Sequence, residues 1–177
     1  MNDYGPTYLR INRQATELIY SGVDGDTDAG KNPVEFKFGK ADVLFGDVES
    51  DAEKADACVF AIGSLVSSSL KAAVKLKEEG KKIVVVNVSS LKPIDEKTIL
   101  KCAKCAKICV TAEDHSILGG LGGAVSEVFA ENGVGVKLVR IGMHDKFGES
   151  GKSGDLYKKY GFDADGVYKT LSDLTLI

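Results

Sequence analysis

From residue 57 onward the chain alternates short apolar runs with amphipathic stretches, and this alternation limits its fold more than any other feature. ACVFAIGS (57–64) is almost continuously apolar, as a strand buried on both faces must be. Residues 65–79 place Leu65, Leu70, Ala73, Val74 and Leu76 largely on one side and charges elsewhere, and Gly80 stops this amphipathic helix. KIVVVNV (82–88) is a second strand, rich in β-branched residues. Residues 91–106 read as a helix with Pro93 in its first turn and Asp95 and Glu96 near the positive end of its dipole. KICVTAE (107–113) and GVKLVRIG (135–142) are two more strands, with a helix over 123–133 between them. Two short helices, 155–161 and 163–174, close the chain. Parallel neighbours need crossover helices, so the pattern predicts an α/β domain whose mostly parallel sheet is covered on both faces.

The lead-in is less regular. TYLRI (7–11) alternates in the manner of a strand, and residues 21–33 are a turn-rich linker of Gly, Asp, Asn and Pro. VEFKF and ADVLF, within 34–48, are separated by Gly39 and Lys40 and read as a hairpin or a bent antiparallel edge strand. The acidic stretch 47–56 is a solvated loop. Hydrophobic residues make up 44% and charged residues 28% of the 177, a globular balance. A net charge of −3 gives no basic field for nucleic acid or an anionic membrane, and no apolar run approaches the roughly 20 residues that span a bilayer. With no signal-like amino terminus, the chain reads as cytoplasmic.

Four features invite a chemical reading. Cys102, Cys105 and Cys109 are spaced i, i+3, i+7, so on a helix they would share one face, and burial explains them better than metal binding or redox chemistry. The two histidines, His115 and His144, complete no zinc-finger spacing with them or with Cys58. TAEDHSILGGLGG (111–123) runs from a strand through Glu113, Asp114 and His115 into a glycine-rich helix start. Such a start can bind an anion, but Gly119, Gly120, Gly122 and Gly123 miss the G-x-G-x-x-G spacing and two acids stand beside them. Close packing of helix on strand is favoured, with Glu113, Asp114 and His115 read as interface residues or as support for a neighbouring site, and His115 as hydrogen-bonded rather than a proton shuttle. GESGKS (148–153) resembles a phosphate loop, yet Lys146 stands where its first glycine must be and only a short helix follows. The fourth is Arg13, normally a solvated residue, whose guanidinium fork would suit a phosphate.

The order of these segments is similar to that of the carboxy-terminal third of transketolases. GPTYLRINR (5–13) resembles the last strand and exit of the family's pyrimidine-binding domain. ADACVFAIGS (55–64), VNVSSLKPIDEKTI (86–99) and TAEDHSILGGLGGAVSEVF (111–129) resemble its successive strand–helix units. The closing IGMHDKFGESGKSGDLYKKYGFDADGV (141–167) resembles its F-G-x-S-G-x terminal motif. The resemblance implies a three-layer α/β/α form with a mixed five-strand sheet, in which 1–20 is a remnant of the preceding domain, 21–33 a linker and 34–177 the carboxy-terminal domain. It further implies two-carbon ketol transfer between sugar phosphates by a homodimer of the complete enzyme, with thiamine diphosphate and a divalent metal (Mg or Ca) held by other domains. The third domain is generally credited with dimer stability or regulation, and the isolated chain is expected to be inactive. Arg13 matches the arginine that binds the substrate's phosphate, although Asn12 replaces the serine usual before it. VDGDTDAGKN (23–32) does not match the family's Gly-Asp-Gly metal segment, so the chain is expected to bind neither cofactor nor metal itself. The equivalent domain of deoxyxylulose-phosphate synthase or of an oxo-acid dehydrogenase beta subunit is the nearer alternative. A free anion- or partner-binding module is the more distant one. An abrupt start on a domain's final strand favours a fragment over such a module.

Overall fold

A computed structural model of the chain describes residues 5–12, 15–21, 32–33, 36–48 and 54–175. A two-residue parallel pair, β1 (Tyr20–Ser21) with β2 (Asn32–Pro33), precedes a five-stranded sheet. That sheet is built from β3 (Asp42–Phe45), β4 (Ala57–Ala61), β5 (Ile83–Asn87), β6 (Ile108–Ser116) and β7 (Lys137–Met143) in the order β3-β5-β4-β6-β7. All neighbours are parallel except β3, which runs antiparallel to β5 at the edge. The predicted mixed sheet of five strands is therefore the observed one.

Alternation along the strands divides the core into two layers. Ala57, Val59 and Ala61 of β4 and Val110 and Ala112 of β6 face one side, where they meet α1 (Leu65–Glu78), α4 (Ser153–Tyr160) and α5 (Ala164–Thr175). Cys58, Phe60 and Cys109 face the other, against α2 (Glu96–Lys104) and α3 (Leu121–Glu131). Phe60 and Phe129 meet edge-to-face with centroids 6.5 Å apart, and Phe60 is fully buried. Burying a side chain of this size contributes about 2–3 kcal/mol.

Four expectations are corrected. Phe36–Phe38 is not a strand and β3 pairs with β5 rather than with it; Val34 and Glu35 lie outside the described residues. The turn at 37–40 is tied instead to the α2 side, with Gly39 N donating to Ser90 Oγ (3.2 Å) and Ala41 N to Asp95 Oδ2 (3.2 Å), which leads β3 along β5. Pro93 stands before α2 rather than in its first turn: Asp95 is the cap, its carboxylate accepting from Thr98 N (3.2 Å). TYLRI has no ladder partner among the described residues. Cys109 is not on a helix with Cys102, because α2 ends at Lys104 and Cys109 lies on β6, opposite Cys58 in register. The three nonetheless meet in one core layer, buried as expected. Cys105 is half-buried, its thiol pointing at Val48 O (3.4 Å).

Among the described residues no helix is long and apolar enough to cross a membrane.

Candidate functional site

The carboxyl edge of the sheet gathers the polar residues singled out in the sequence. Strand β6 runs three residues beyond its predicted end at Glu113, so Asp114 and His115 lie on the strand with it. Alternation then sends their side chains to opposite faces. Glu113 and His115 point to the α3 side, and Asp114 to the side of α1 and α4.

Glu113 is completely buried, and its two oxygens accept from the first amides of α3, Leu121 N at 2.7 Å and Gly122 N at 2.8 Å. A carboxylate at this end meets both unpaired amides and the positive end of the helix dipole. His115 Nε2 lies 3.1 Å from Glu113 Oε2, while Nδ1 lies 2.9 Å from Ser116 O. Gly120 makes this approach possible, since a Cβ there would overlap the Glu113 carboxylate and the His115 ring. At Gly122 a Cβ would meet the Arg140 side chain, whereas at Gly123 it would face open space. The glycine run is thus close packing, and the anion on its helix start is the chain's own.

Asp114 anchors a second circuit. Its Oδ2 accepts from Ser64 Oγ at 3.0 Å, and the Tyr157 hydroxyl lies 3.1 Å from the same oxygen and 2.9 Å from Ser64 Oγ. Its Oδ1 pairs with Arg10 at 2.8 Å. Ser64 stands at the N-cap of α1, yet its hydroxyl serves Asp114 instead of capping the helix. Burial raises the Tyr157 phenol above its ordinary value; the bond to Ser64 opposes this and the Asp114 carboxylate adds to it. Ser64 and Tyr157 escaped the sequence reading. Ser64 carried a weak signal as a small hydroxyl residue between a strand and a helix, and Tyr157 carried none. Arg13 lies outside the described residues.

The remaining motifs stay apart from this edge chemistry. The loop 148–152 is exposed and leads into α4, which Gly161 ends after eight residues in the left-handed conformation. Its Glu149 pairs with Lys159 at 2.6 Å. Most of VDGDTDAGKN falls outside the described residues. Thiamine diphosphate needs a divalent metal and anion donors. Among the described residues no group of three or more His, Cys, Asp or Glu side chains could hold a metal, and Glu113 already occupies the α3 amides. The described residues therefore do not fit that cofactor.

Comparison with known proteins bears on the rest. A family model described as "Transketolase, C-terminal domain" matches residues 46–167. The "Putative transketolase C-terminal section" of Methanocaldococcus jannaschii is 41% identical over 96% of this chain and 48% of its own length. A 1-deoxy-D-xylulose-5-phosphate synthase of Caldanaerobacter subterraneus is 38% identical over 85% of this chain and 23% of its own. Among solved structures, a split-gene transketolase described as an inactive beta4 tetramer superposes with a TM-score of 0.70 at 36% identity, covering 81% of this chain and 44% of that one. The chain thus spans about half the length of the first relative and about a quarter of the second. With the family model matching most of the chain and the fold superposing on a split-gene transketolase, the chain belongs to the family of transketolase C-terminal domains.

Proposed function

We propose that the chain is the C-terminal part of a thiamine-diphosphate-dependent transketolase, which transfers two-carbon ketol units between sugar phosphates once joined to the remaining domains or subunit. In this reading residues 1–20 finish the pyrimidine-binding domain, 21–33 link, and 34–177 form the C-terminal domain, which helps hold a homodimer together. Arg13 binds the substrate's phosphate, while thiamine diphosphate and its Mg or Ca ion are held by the other domains. A cytoplasmic location goes with this, since the chain's cysteines are free thiols suited to a reducing compartment.

One observation carries the reading: both polar circuits at the carboxyl edge close on the chain's own atoms. Glu113 takes the α3 amides, and Asp114 takes Ser64, Tyr157 and Arg10. Such an edge is built for holding segments together rather than for chemistry. The relative at 38% identity supports a second reading, in which the complete enzyme is a deoxyxylulose-phosphate synthase.

The purified chain is expected to give no ketol transfer, and no heat of thiamine diphosphate binding in the presence of Mg or Ca. Micromolar binding would sink the proposal. In the enzyme completed with the remaining transketolase domains, Arg13→Ala is expected to raise KM for phosphorylated sugars about tenfold, as loss of a charged hydrogen bond does. Condensation of pyruvate with glyceraldehyde 3-phosphate, without ketol transfer, would favour the second reading.

A further inference from the structure

We propose that the carboxyl edge of the five-stranded sheet is a docking surface for the folded body that the longer relatives carry outside the matched region. In the function proposed above that occupant is the pyrimidine-binding domain, and to that extent the inference rests on that reading.

The exposed apolar side chains are gathered at this edge. Asp42 pairs with Asn87, the last residue of β5, so the segment before β3 stands at the carboxyl end of β5. There Phe36 and Phe38 are 59% and 51% exposed, on a turn held just beyond the strand by the bond from Gly39 N to Ser90 Oγ. Ser116 and Met143 end β6 and β7 in register, so the loops that follow leave the same edge side by side. They carry Leu118 and Phe147, which are 58% and 100% exposed. From β5 to β7 is three strand spacings, about 14 Å. Between these positions the arm, residues 5–12, is moored by Arg10 on Asp114, and its Tyr8, Leu9 and Ile11 are exposed as well. Among the described residues the other exposed large apolar side chains are Leu18 and Val74, on the side of α1, and none stands at the amino edge. Scattered apolar residues are ordinary on a surface, but a set confined to one edge marks an interface.

The polar groups of this edge are already prepared for burial. Glu113 is satisfied by the α3 amides, and Asp114 by Ser64, Tyr157 and Arg10. A body covering the edge therefore strands neither carboxylate without hydrogen bonds, which is the main cost of desolvating such groups.

The occupant follows from length and from the arm. The Methanocaldococcus relative and the split-gene transketolase are matched over 48% and 44% of their own lengths, so each carries about as much chain again outside the match. The arm is the part of this chain assigned above to the preceding domain, and its mooring on Asp114 brings that domain to the same edge.

Hydroxyl-radical footprinting tests this by reading side-chain exposure in the full chain alone and in the enzyme completed with the remaining transketolase domains. On completion, oxidation of Phe38, Leu118 and Phe147 is expected to fall about fivefold, as in the core of an interface, and that of Val74 by less than about twofold. With the remaining domains supplied as a separate subunit, Phe147→Ser is expected to weaken its binding about tenfold, and Val74→Ser less than about twofold. Phe147 is fully exposed in the chain, so its replacement spares the fold and lost affinity reads as lost contact. Unchanged oxidation at the edge, or protection at Val74 instead, would overturn the docking surface. Protection that grows with concentration in the chain alone would make the occupant a second copy and overturn the partner assigned here. Ketol transfer keeps this inference apart from the proposed function. Transfer without protection refutes the surface alone, protection without transfer refutes the reaction alone, and failure of the chain to join the remaining domains refutes both.

Discussion

At the level of single residues, Glu113 and Gly120 depend on each other: the carboxylate reaches the α3 amides only because no side chain stands at Gly120. Glu113→Gln keeps the shape but replaces one acceptor oxygen with a donor, leaving a buried amide unpaired. The cost expected is about 2–3 kcal/mol, which lowers the thermal midpoint by roughly 5–10 °C for a domain of this size. Gly120→Ala should cost about 1–3 kcal/mol through overlap, whereas Gly123→Ala, facing open space, should be neutral or slightly stabilising. Calorimetric unfolding of the two alanine variants decides the point, and equal midpoints would refute the packing account. Much of this was legible in the sequence. Missed glycine spacing beside two acids argued for close packing over phosphate binding. The identity of the occupant was not legible, because Glu113 reaches Leu121 only through the register of a strand that outruns its apolar stretch.

Among the elements, α2 shows a cap that also holds a neighbour in place. Asp95 is buried and accepts from the Thr98 amide and hydroxyl, its own helix start, and from Ala41 beside the edge strand β3. Burial alone would raise its carboxyl, but the bonds from Ala41 and Thr98, with Lys40 nearby, outweigh that and hold it below the usual range. A lowered folded value means that the contribution is complete above the unfolded carboxyl value of about 4 and disappears as pH falls through the folded one. Asp95→Ala should therefore cost about 2 kcal/mol at neutral pH, with the gap to the unaltered chain narrowing only below about pH 4 in denaturant titrations. A gap that persisted undiminished in acid would refute this. The strands and helices of 57–175 were readable because their periods are clean. The hairpin was not: VEFKF and ADVLF alternate equally well, and only the bonds to Ser90 and Asp95 decide which strand receives the second. Likewise the spacing of Cys102, Cys105 and Cys109 could not reveal that the last crosses from helix to strand.

For the molecule as a whole, the two core layers predict how its thiols behave. Cys58, Cys102 and Cys109 are buried against α2 and α3, and Cys105 is half-buried beside Val48 O. Titration with a thiol reagent should find at most one of the four cysteines accessible in the folded chain and all four after denaturation. Three or more reacting rapidly under native conditions would contradict the packing. The three-layer plan was legible from sequence, whereas the joining of the leading arm to the domain was not, since Arg10, Ser64, Asp114 and Tyr157 lie far apart along the chain. That joining has a further consequence. Because Glu113 and Asp114 are consecutive on one strand yet serve opposite faces, inserting or deleting one residue just upstream would exchange their sides. The helix would lose its counterion and the arm its mooring in the same event. The length of β6 ahead of the triplet is therefore fixed by two unrelated contacts at once, and it should tolerate substitution of its residues far better than any change in their number.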